Sequence, residues 1–312
     1  MADDLAARLL AGDRRALARL ITLVENQSPQ GRDALRLVYA HTGRAHTVGI
    51  TGGAGAGKST LTNALAKEYR RRGKTVGIVA VDPSSPFTRG AILGDRIRMQ
   101  ELTGDPGIFM RSMATRGSLG GLSETAADAV AVLDAFGKDV VLLETVGAGQ
   151  DEVAVANAAQ TTVLVLTPGT GDDVQTMKAG IMEIADLLVV NKADLPNTDA
   201  LIAALKAHLS MSDHGDWLTP ILRVVANRET GIGELVDALE SHREHLRASG
   251  KLASEQEERA RQQIVTAMQG EVLRRMLGAG DGALERLVAE VAERRLDPHT
   301  AAERLLNALL CP

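Results

Sequence analysis

The sequence of 312 residues contains little cysteine and few aromatic side chains. Cys311 is its one cysteine, so these residues can form neither an internal disulfide nor a metal site built from several thiolates. Phenylalanine, tryptophan and tyrosine together make up 2% of the residues, which argues against binding of single-stranded nucleic acid by base stacking. The hydrophobic fraction of 45% is therefore mainly aliphatic, and it is ample for a sizeable core.

An excess of basic charge and a long apolar run are also missing. The chain has 35 Lys and Arg against 40 Asp and Glu, and the formal net charge of −5 excludes a globally basic nucleic-acid-binding protein. No apolar run approaches the ~20 residues that span a membrane. The first residues, MADDLAARLLAGDRR, lack the basic-then-apolar order of a signal peptide. We therefore expect a cytoplasmic protein with neither a nucleic-acid nor a membrane partner.

The central part of the chain alternates short apolar runs with segments of helix length. The runs are mostly apolar rather than alternating, as in strands that are covered on both faces. This order predicts right-handed βαβ units and an α/β fold with a doubly wound, mostly parallel sheet. The predicted strands are 47–51, 75–82, 139–144, 162–167, 186–191 and 221–226.

Helical patterns flank this central region on both sides. They predict an N-terminal helical extension over 1–44, a central α/β domain over 45–248 and a C-terminal helical arm over 249–312. The apolar stripes of the flanking helices could pack onto the central domain or against a second chain, and the sequence leaves both possibilities open.

A glycine-rich segment after the first predicted strand matches G-x-x-x-x-G-K-[ST], the phosphate-binding loop. Glycines let backbone N–H groups turn inward around phosphates, and the following helix directs its positive end at the same anion. Lys58 is expected to reach the β- and γ-phosphates, and the Ser59 hydroxyl to bind Mg²⁺. The loop residues are Gly52, Gly53, Ala54, Gly55, Ala56, Gly57, Lys58, Ser59 and Thr60.

A second motif, Asn191-Lys192-Ala193-Asp194, follows the strand predicted over 186–191. The carboxylate of Asp194 can accept hydrogen bonds from N1–H and the 2-amino group of guanine, whereas adenine offers neither donor. Two charge-assisted bonds contribute roughly 3–6 kcal/mol, or about two to four decades of preference for GTP over ATP. Asn191 is expected to brace the loop, and Lys192 to cover one face of the base.

Acidic and glycine-rich segments lie between these two motifs. Asp82 and Glu144 end predicted strands, and Asp95 lies in a loop; strand ends beside a phosphate loop are where Mg²⁺ ligands are found. Mg²⁺ uses few protein ligands, so Glu144 or Asp82 is expected to act through water, with Asp95 as a loop ligand. Gly147 and Gln150 stand where the γ-phosphate and the attacking water would be contacted.

Over residues 45–195 the chain resembles the methylmalonyl-CoA-mutase-associated GTPases (the MeaB/ArgK family) in TVGITGGAGAGKSTLTNAL, VAVDPSSPFTRGAILGDRIRM, LLETVGAGQDE, LTPGTGDDVQTMKAGIMEIADL and VVNKADL. The resemblance implies a homodimeric P-loop GTPase that guards an adenosylcobalamin-dependent acyl-CoA mutase. GTP binding and hydrolysis would gate cofactor loading from an adenosyltransferase, and they would protect or reactivate the mutase.

The resemblance also implies roles for individual residues. Lys178, in the loop matching the family's third switch, stands at the position implicated in activating hydrolysis when a partner binds. The last guanine-binding element usually reads Ser-Ala, and here it is Val225-Ala226-Asn227, which lacks the supporting hydroxyl. The implied magnesium-site residues are Ser59, Asp82, Asp95 and Glu144.

Two other functions compete with this interpretation. A nickel-insertion GTPase would need a relay of histidine and cysteine, but the histidines are dispersed and no cysteine lies near the switch segments. His242 and His245 share one helix face, and without an acidic partner they are expected to face solvent. A kinase of a transport protein would need a base that binds its acceptor near the γ-phosphate, and no such element stands out.

Overall fold

The computed structural model describes residues 1–82, 102, 104–114, 121–145, 151–169, 181–211, 216–278 and 282–310. The chain divides into two compact units, Met1–Arg259 and Ala260–Pro312. The three-part division drawn from the sequence stays a prediction.

A seven-stranded sheet forms the centre of the first unit. The strand order is β3-β2-β4-β1-β5-β6-β7, and every neighbouring pair is parallel. This arrangement confirms the predicted α/β class with a parallel sheet. The strands are β1 (His46–Gly52), β2 (Val76–Asp82), β3 (Ile108–Ala114), β4 (Val140–Thr145), β5 (Thr161–Leu166), β6 (Leu187–Val190) and β7 (Ile221–Arg223).

Two strands differ from the sequence prediction. Strand β3 was not predicted, because its residues IFMRSMA carry a polar pair and no run of β-branched side chains. Strand β7 ends at Arg223, not at 226, because Val225 leaves the sheet to pair with Thr230 and the next residues form a 3₁₀ turn.

Helices surround the sheet and form the second unit. The described helices are α1 (Ala2–Leu10), α2 (Arg14–Glu25), α3 (Pro29–Val38), α4 (Lys58–Arg71), α5 (Gly121–Ala135), α6 (Asp151–Ala158), α7 (Thr198–Leu209), α8 (Ile232–Ala248), α9 (Lys251–Gly278), α10 (Ala283–Ala292) and α11 (Pro298–Leu310). Short 3₁₀ turns cover Tyr39–His41, Ile181–Ile184 and Ala226–Arg228. None of the helices in the described ranges combines the length and hydrophobicity needed to cross a bilayer.

Both faces of the sheet are buried under helices. Val79 of β2 belongs to a cluster with Leu17 of α2, whereas its neighbour Ile78 belongs to a different cluster with Leu61 of α4. Successive side chains of a strand point to opposite faces, so the two clusters are the two layers of a doubly wound fold. The N-terminal helices therefore pack onto the central sheet, which is one of the two roles that the sequence left open.

The second unit carries apolar side chains on its surface. Within this unit Arg304 of α11 pairs with Glu290 of α10 at 3.7 Å. Ile264 and Met268 of α9 are 68% and 58% exposed, and Val288 of α10 is 57% exposed. Large aliphatic side chains grouped on so small a unit are typical of a surface that contacts another protein.

A buried polar network lies at the edge of the sheet where β1 and β5 begin. The Thr161 hydroxyl lies 2.8 Å from Nε2 of His46 and 2.9 Å from Nδ1 of His242. On its other side, Nε2 of His242 is 3.3 Å from Oδ1 of Asp186, whose backbone carbonyl accepts a hydrogen bond from Nε1 of Trp217. The expectation that His242 faces solvent is therefore wrong, because Asp186 from another element is its acidic partner and α8 packs its side chain inward.

Burial changes the protonation of this network. It lowers the pKa of His242 to about 4 and, together with nearby Arg243, that of His46 to about 3. Burial raises the pKa of Asp186 to about 7. Below that pH, protonated Asp186 can donate to neutral His242, so the folded protein adds a proton to the acid while both imidazoles stay neutral.

These shifts predict how stability depends on pH. Between about pH 5 and 6.5 the unfolded chain protonates both histidines, whereas the folded chain protonates Asp186 alone, so the melting temperature should fall as pH falls. Asp186 acts in the opposite direction, because its raised pKa adds stability as pH falls through about 7. Asp186→Asn should therefore steepen the loss of melting temperature with acidification, measured by calorimetry. A shallower pH profile than that of the wild type would contradict this assignment.

Candidate functional site

The glycine-rich loop joins β1 to α4 at the carboxyl edge of the sheet. Gly52 has φ +137°, and a Cβ there would lie 2.2 Å from the carbonyl oxygen of Val165. Gly57 has φ +88°, and a Cβ there would lie 2.4 Å from Nδ2 of Asn191. Both positions combine a left-handed backbone with contact too close for a side chain, so only glycine lets the loop fold against its neighbours.

The remaining loop residues divide into an exposed crest and a buried base. Gly53 is half-buried, Ala54 and Gly55 are exposed, and Ala56 is buried. Helix α4 begins at Lys58, which is 6% exposed, and its ammonium donates to the carbonyl oxygens of Gly52 at 2.6 Å and Gly53 at 3.0 Å. The lysine charge and the amino end of a helix thus meet at one loop, as phosphate binding requires.

The acidic part of the site lies on β4 next to this loop. Glu144 is fully buried, and its Cα pairs in register with Ile50 of β1 and Ala80 of β2. Asp82 ends β2 two residues beyond Ala80, so its backbone lies at the same edge; its side chain is outside the described part. Because parallel strands end at a common edge, the structure brings the backbone of both predicted acids to the phosphate loop.

Thr62 of α4 was missed by the sequence analysis. Its hydroxyl lies 2.5 Å from Oε2 of Glu144, to which it donates, and 3.0 Å from the carbonyl oxygen of Lys58. The spacing in the sequence could have indicated Thr62, because it follows Lys58 by four residues and therefore lies on the same face of the helix. A helix thus fixes one oxygen of the buried carboxylate.

A divalent ion fits these residues. A buried carboxylate on β4 and the Ser59 hydroxyl in the first turn of α4 are oxygen donors, which Mg²⁺ prefers. Among the described residues no three acidic, histidine or cysteine side chains form a group that could hold a metal. Ser59 and Glu144 are oxygen ligands of the kind that Mg²⁺ takes in small number from a protein while it keeps several waters.

Asn191 connects the phosphate loop to the predicted base-binding loop. Its side chain is 2% exposed, its Nδ2 donates to the carbonyl oxygen of Ala56 at 2.8 Å, and its Oδ1 accepts from the backbone N–H of Ala226 at 3.2 Å. The two loops lie far apart in sequence, and a single buried amide holds them together.

The next residues of this motif lie over the loop and toward solvent. Lys192 adopts φ +55°, and its Nζ donates to the carbonyl oxygen of Gly55 at 2.9 Å, which places its stem across the loop. Asp194 is partly exposed, and its Oδ2 lies 3.4 Å from Nη2 of Arg228. Arg228, in the 3₁₀ turn with Asn227, was not predicted, and no spacing in the sequence marks it.

Several predicted site residues lie outside the described residues. They are Asp95, Gly147, Gln150 and Lys178. Thr60 and Val225 are described and half-buried, in α4 and in the bridge to Thr230 respectively.

The contact between Thr62 and Glu144 gives a testable prediction. Thr62→Val keeps the shape but removes a donor from a buried carboxylate, so it should lower the free energy of unfolding by roughly 1–3 kcal/mol in urea denaturation. Thr62→Ser, which keeps the hydroxyl, is the matched control and should be close to wild type. Wild-type stability in Thr62→Val together with a loss in Thr62→Ser would show that the methyl group, not the hydrogen bond, supplies the stability.

This chain was compared with protein families, with known sequences and with solved structures, and the three comparisons are consistent with one another. Residues 17–281 match the family described as Methylmalonyl Co-A mutase-associated GTPase MeaB. A putative GTPase of Pyrococcus abyssi is 48% identical, over 99% of this chain and 97% of the relative. The GTPase ArgK of Escherichia coli is 34% identical, over 96% and 93%. A crystal structure described as LAO/AO transport system kinase superposes with a TM-score of 0.71 at 27% identity, over 99% and 97%.

Proposed function

The chain belongs to the family of methylmalonyl-CoA-mutase-associated GTPases and is itself a P-loop GTPase; we propose that it uses GTP binding and hydrolysis to guard an adenosylcobalamin-dependent acyl-CoA mutase. In this role it gates loading of the cofactor from an adenosyltransferase and protects or reactivates the mutase. The family description, which names mutase association, supports this proposal.

The observation that carries nucleotide binding is the double contact of Asn191. This amide bonds the phosphate loop at Ala56 and the predicted base-binding loop at Ala226. A nucleotide needs its phosphates and its base bound at one fixed separation, and a buried side chain common to both loops sets that separation. The geometry therefore favours a nucleotide over an isolated phosphate or phosphoester.

The chain's own groups account for binding and orientation. The loop amides and Lys58 hold the β- and γ-phosphates at the amino end of α4, with Gly52–Thr60 around them. Asp194 accepts from guanine N1–H and the 2-amino group, while Lys192 covers the base and Val225–Asn227 border it. Gly147 contacts the γ-phosphate, and Gln150 orients the attacking water.

The magnesium site is part of the same proposal. Ser59 and Asp95 would hold the ion directly, and Asp82 or Glu144 would hold it through water. When bound, Mg²⁺ neutralises charge on the β- and γ-phosphates. Thr62 keeps the Glu144 carboxylate oriented toward α4, where Ser59 lies.

Base recognition through Asp194 can be tested with three nucleotides. With Mg²⁺, the protein should bind and hydrolyse GTP about two to four decades better than ATP. Asp194→Asn should weaken GTP binding and improve binding of XTP, because an amide can donate to the 2-carbonyl of xanthine. Binding is measured by calorimetry and hydrolysis by phosphate release. Equal rates with ATP and GTP in the wild type would overturn the base assignment.

The second unit supports the proposal of a homodimer. Its exposed aliphatic side chains on α9 and α10, including Ile264, Met268 and Val288, are costly to leave in water. Burial against a second copy of this chain would remove them from solvent.

The two competing functions have less support in the structure. His46 and His242, which a nickel relay could have used, direct ring nitrogens to Thr161 and Asp186. The transport-kinase description belongs to the superposed structure, and no described residue of this chain forms an acceptor-binding base.

Lys178 provides the test of partner activation. Lys178→Ala should leave GTP binding intact and remove the acceleration of hydrolysis by an acyl-CoA mutase, because a cation at the γ-phosphate stabilises the transition state. Lys178→Arg, which keeps the charge, should retain much of the acceleration, whereas Lys58→Ala should lose binding itself. Phosphate release with and without methylmalonyl-CoA mutase measures the effect. A Lys178→Ala variant that responds fully to the mutase would refute this role.

A further inference from the structure

A polar cavity lies at the amino edge of the sheet, opposite the phosphate loop. It has a volume of about 480 Å³, and the starts of β1 and β4, the last turn of α4 and the helix α8 surround it. We call it the basic cavity. Its cationic lining residues are Arg44, Lys74, Lys138, Arg243 and Arg247.

The cations of the basic cavity are only partly offset by carboxylates. Within the described ranges, none of these five side chains forms an ion pair with Asp or Glu. The end of α4 differs, because Arg70 and Arg71 on that helix and Arg72 directly after it all pair with carboxylates. The arginines next to the cavity are therefore paired with carboxylates, whereas the five cations that line it form no such ion pair within the described ranges.

The acidic residues of the cavity have other contacts or stand apart. The carboxylate of Asp139 accepts hydrogen bonds from the backbone N–H and the hydroxyl of Thr75, both at 2.7 Å. Glu240 lies 3.8 Å from a guanidinium nitrogen of Arg72. Glu244 is exposed on α8. Asp139 offsets part of the charge of Lys74 and Lys138. The five cations of the lining nevertheless outnumber its three carboxylates.

Arg243 is the half-buried arginine of the cavity, whereas Arg44, Lys74 and Arg247 are exposed. Nη2 of Arg243 donates to the carbonyl oxygen of Arg44 at 2.6 Å, which fixes the guanidinium at the wall of the cavity. Burial and the neighbouring charge of Arg247 lower the pKa of Arg243, and burial followed by the charges of Arg14 and Arg70 lowers that of Lys138 to about 8. The charge of Arg243 is thus crowded against that of Arg247 in a partly desolvated place. The ammonium of Lys138 instead donates to the carbonyl oxygen of Gly107 at 2.7 Å.

A buried donor also lines the cavity. Tyr69, at the carboxyl end of α4, is 1% exposed, and its hydroxyl has no hydrogen-bond partner in the described part of the chain. Burial of a polar group without a partner costs free energy, so such a hydroxyl is typically matched by a bound group. The hydroxyl and the guanidinium groups are all hydrogen-bond donors, and together they suit an acceptor with several oxygens.

We propose that the basic cavity is a second anion-binding site, which takes a small molecule carrying a multiply charged phosphate or pyrophosphate group. Two guanidinium groups can bind phosphate oxygens in bidentate fashion, and Tyr69 donates from within. A dianion or polyanion fits better than a monocarboxylate, because five cations surround the space. The phosphate could be free or part of a nucleotide, and this site is independent of the proposed mutase role.

The experiment uses the full chain saturated with GDP in Mg²⁺-free buffer, so that the phosphate loop is occupied. Titration calorimetry with inorganic pyrophosphate should show one further binding event per chain, weakened by added salt. Arg247→Ala should reduce the affinity roughly 10- to 100-fold, and Tyr69→Phe roughly 2- to 12-fold, because each removes a donor to the anion. Arg36→Ala, an equal loss of charge on the exposed surface of α3, is the control and should bind as wild type.

The outcomes distinguish an effect on binding from an effect on folding, and recognition of phosphate from recognition of a nucleotide. Because Tyr69→Phe removes a hydroxyl without a described partner, its melting temperature should match wild type, so a lost affinity reports binding rather than folding. ADP binding as tightly as pyrophosphate would assign recognition to the phosphates alone, and tighter ADP binding would add the nucleoside. Absence of the second event, or affinities unchanged in both Arg247→Ala and Tyr69→Phe, would overturn the proposal.

Discussion

The candidate nucleotide site depends on one buried amide. Asn191 satisfies both of its polar ends on backbone groups, one in the phosphate loop and one beside β7. The contact requires Gly57, because a side chain at that position would occupy the space of the amide. Gly57 and Asn191 thus fit against each other. Their contact sets the distance between the predicted phosphate and base subsites.

The fold could be predicted from the sequence where strands are aliphatic and uninterrupted. Six strands can be recognised in the sequence as apolar runs, and the alternation of strands and helices predicts the parallel sheet. Strand β3 was missed because its middle residues are half-buried and include Arg111, which pairs with Glu25 of α2. An edge strand can carry such polar residues, since one side of it faces a helix and solvent rather than the centre of the sheet.

The site could be predicted where a contiguous motif fixes its chemistry. The phosphate loop and the Asn-Lys-x-Asp segment lie where the sequence placed them, whereas Thr62 and Arg228 emerge only when separate elements meet. His242 illustrates the reason. Its acidic partner Asp186 lies 56 positions earlier in the chain, so no spacing rule on α8 could have revealed it. A contact between residues so far apart in the sequence can be identified only when the fold is known.

Helix α4 has a consequence for how the protein could respond to its ligands. It runs without a break from Lys58 at the phosphate loop to Arg71, just past Tyr69 at the opposite edge, a length of about 20 Å. A helix of that length moves as a stiff lever. Any displacement of its first turn at the phosphate loop would therefore also move its last turn, beside Tyr69 at the far side of the sheet.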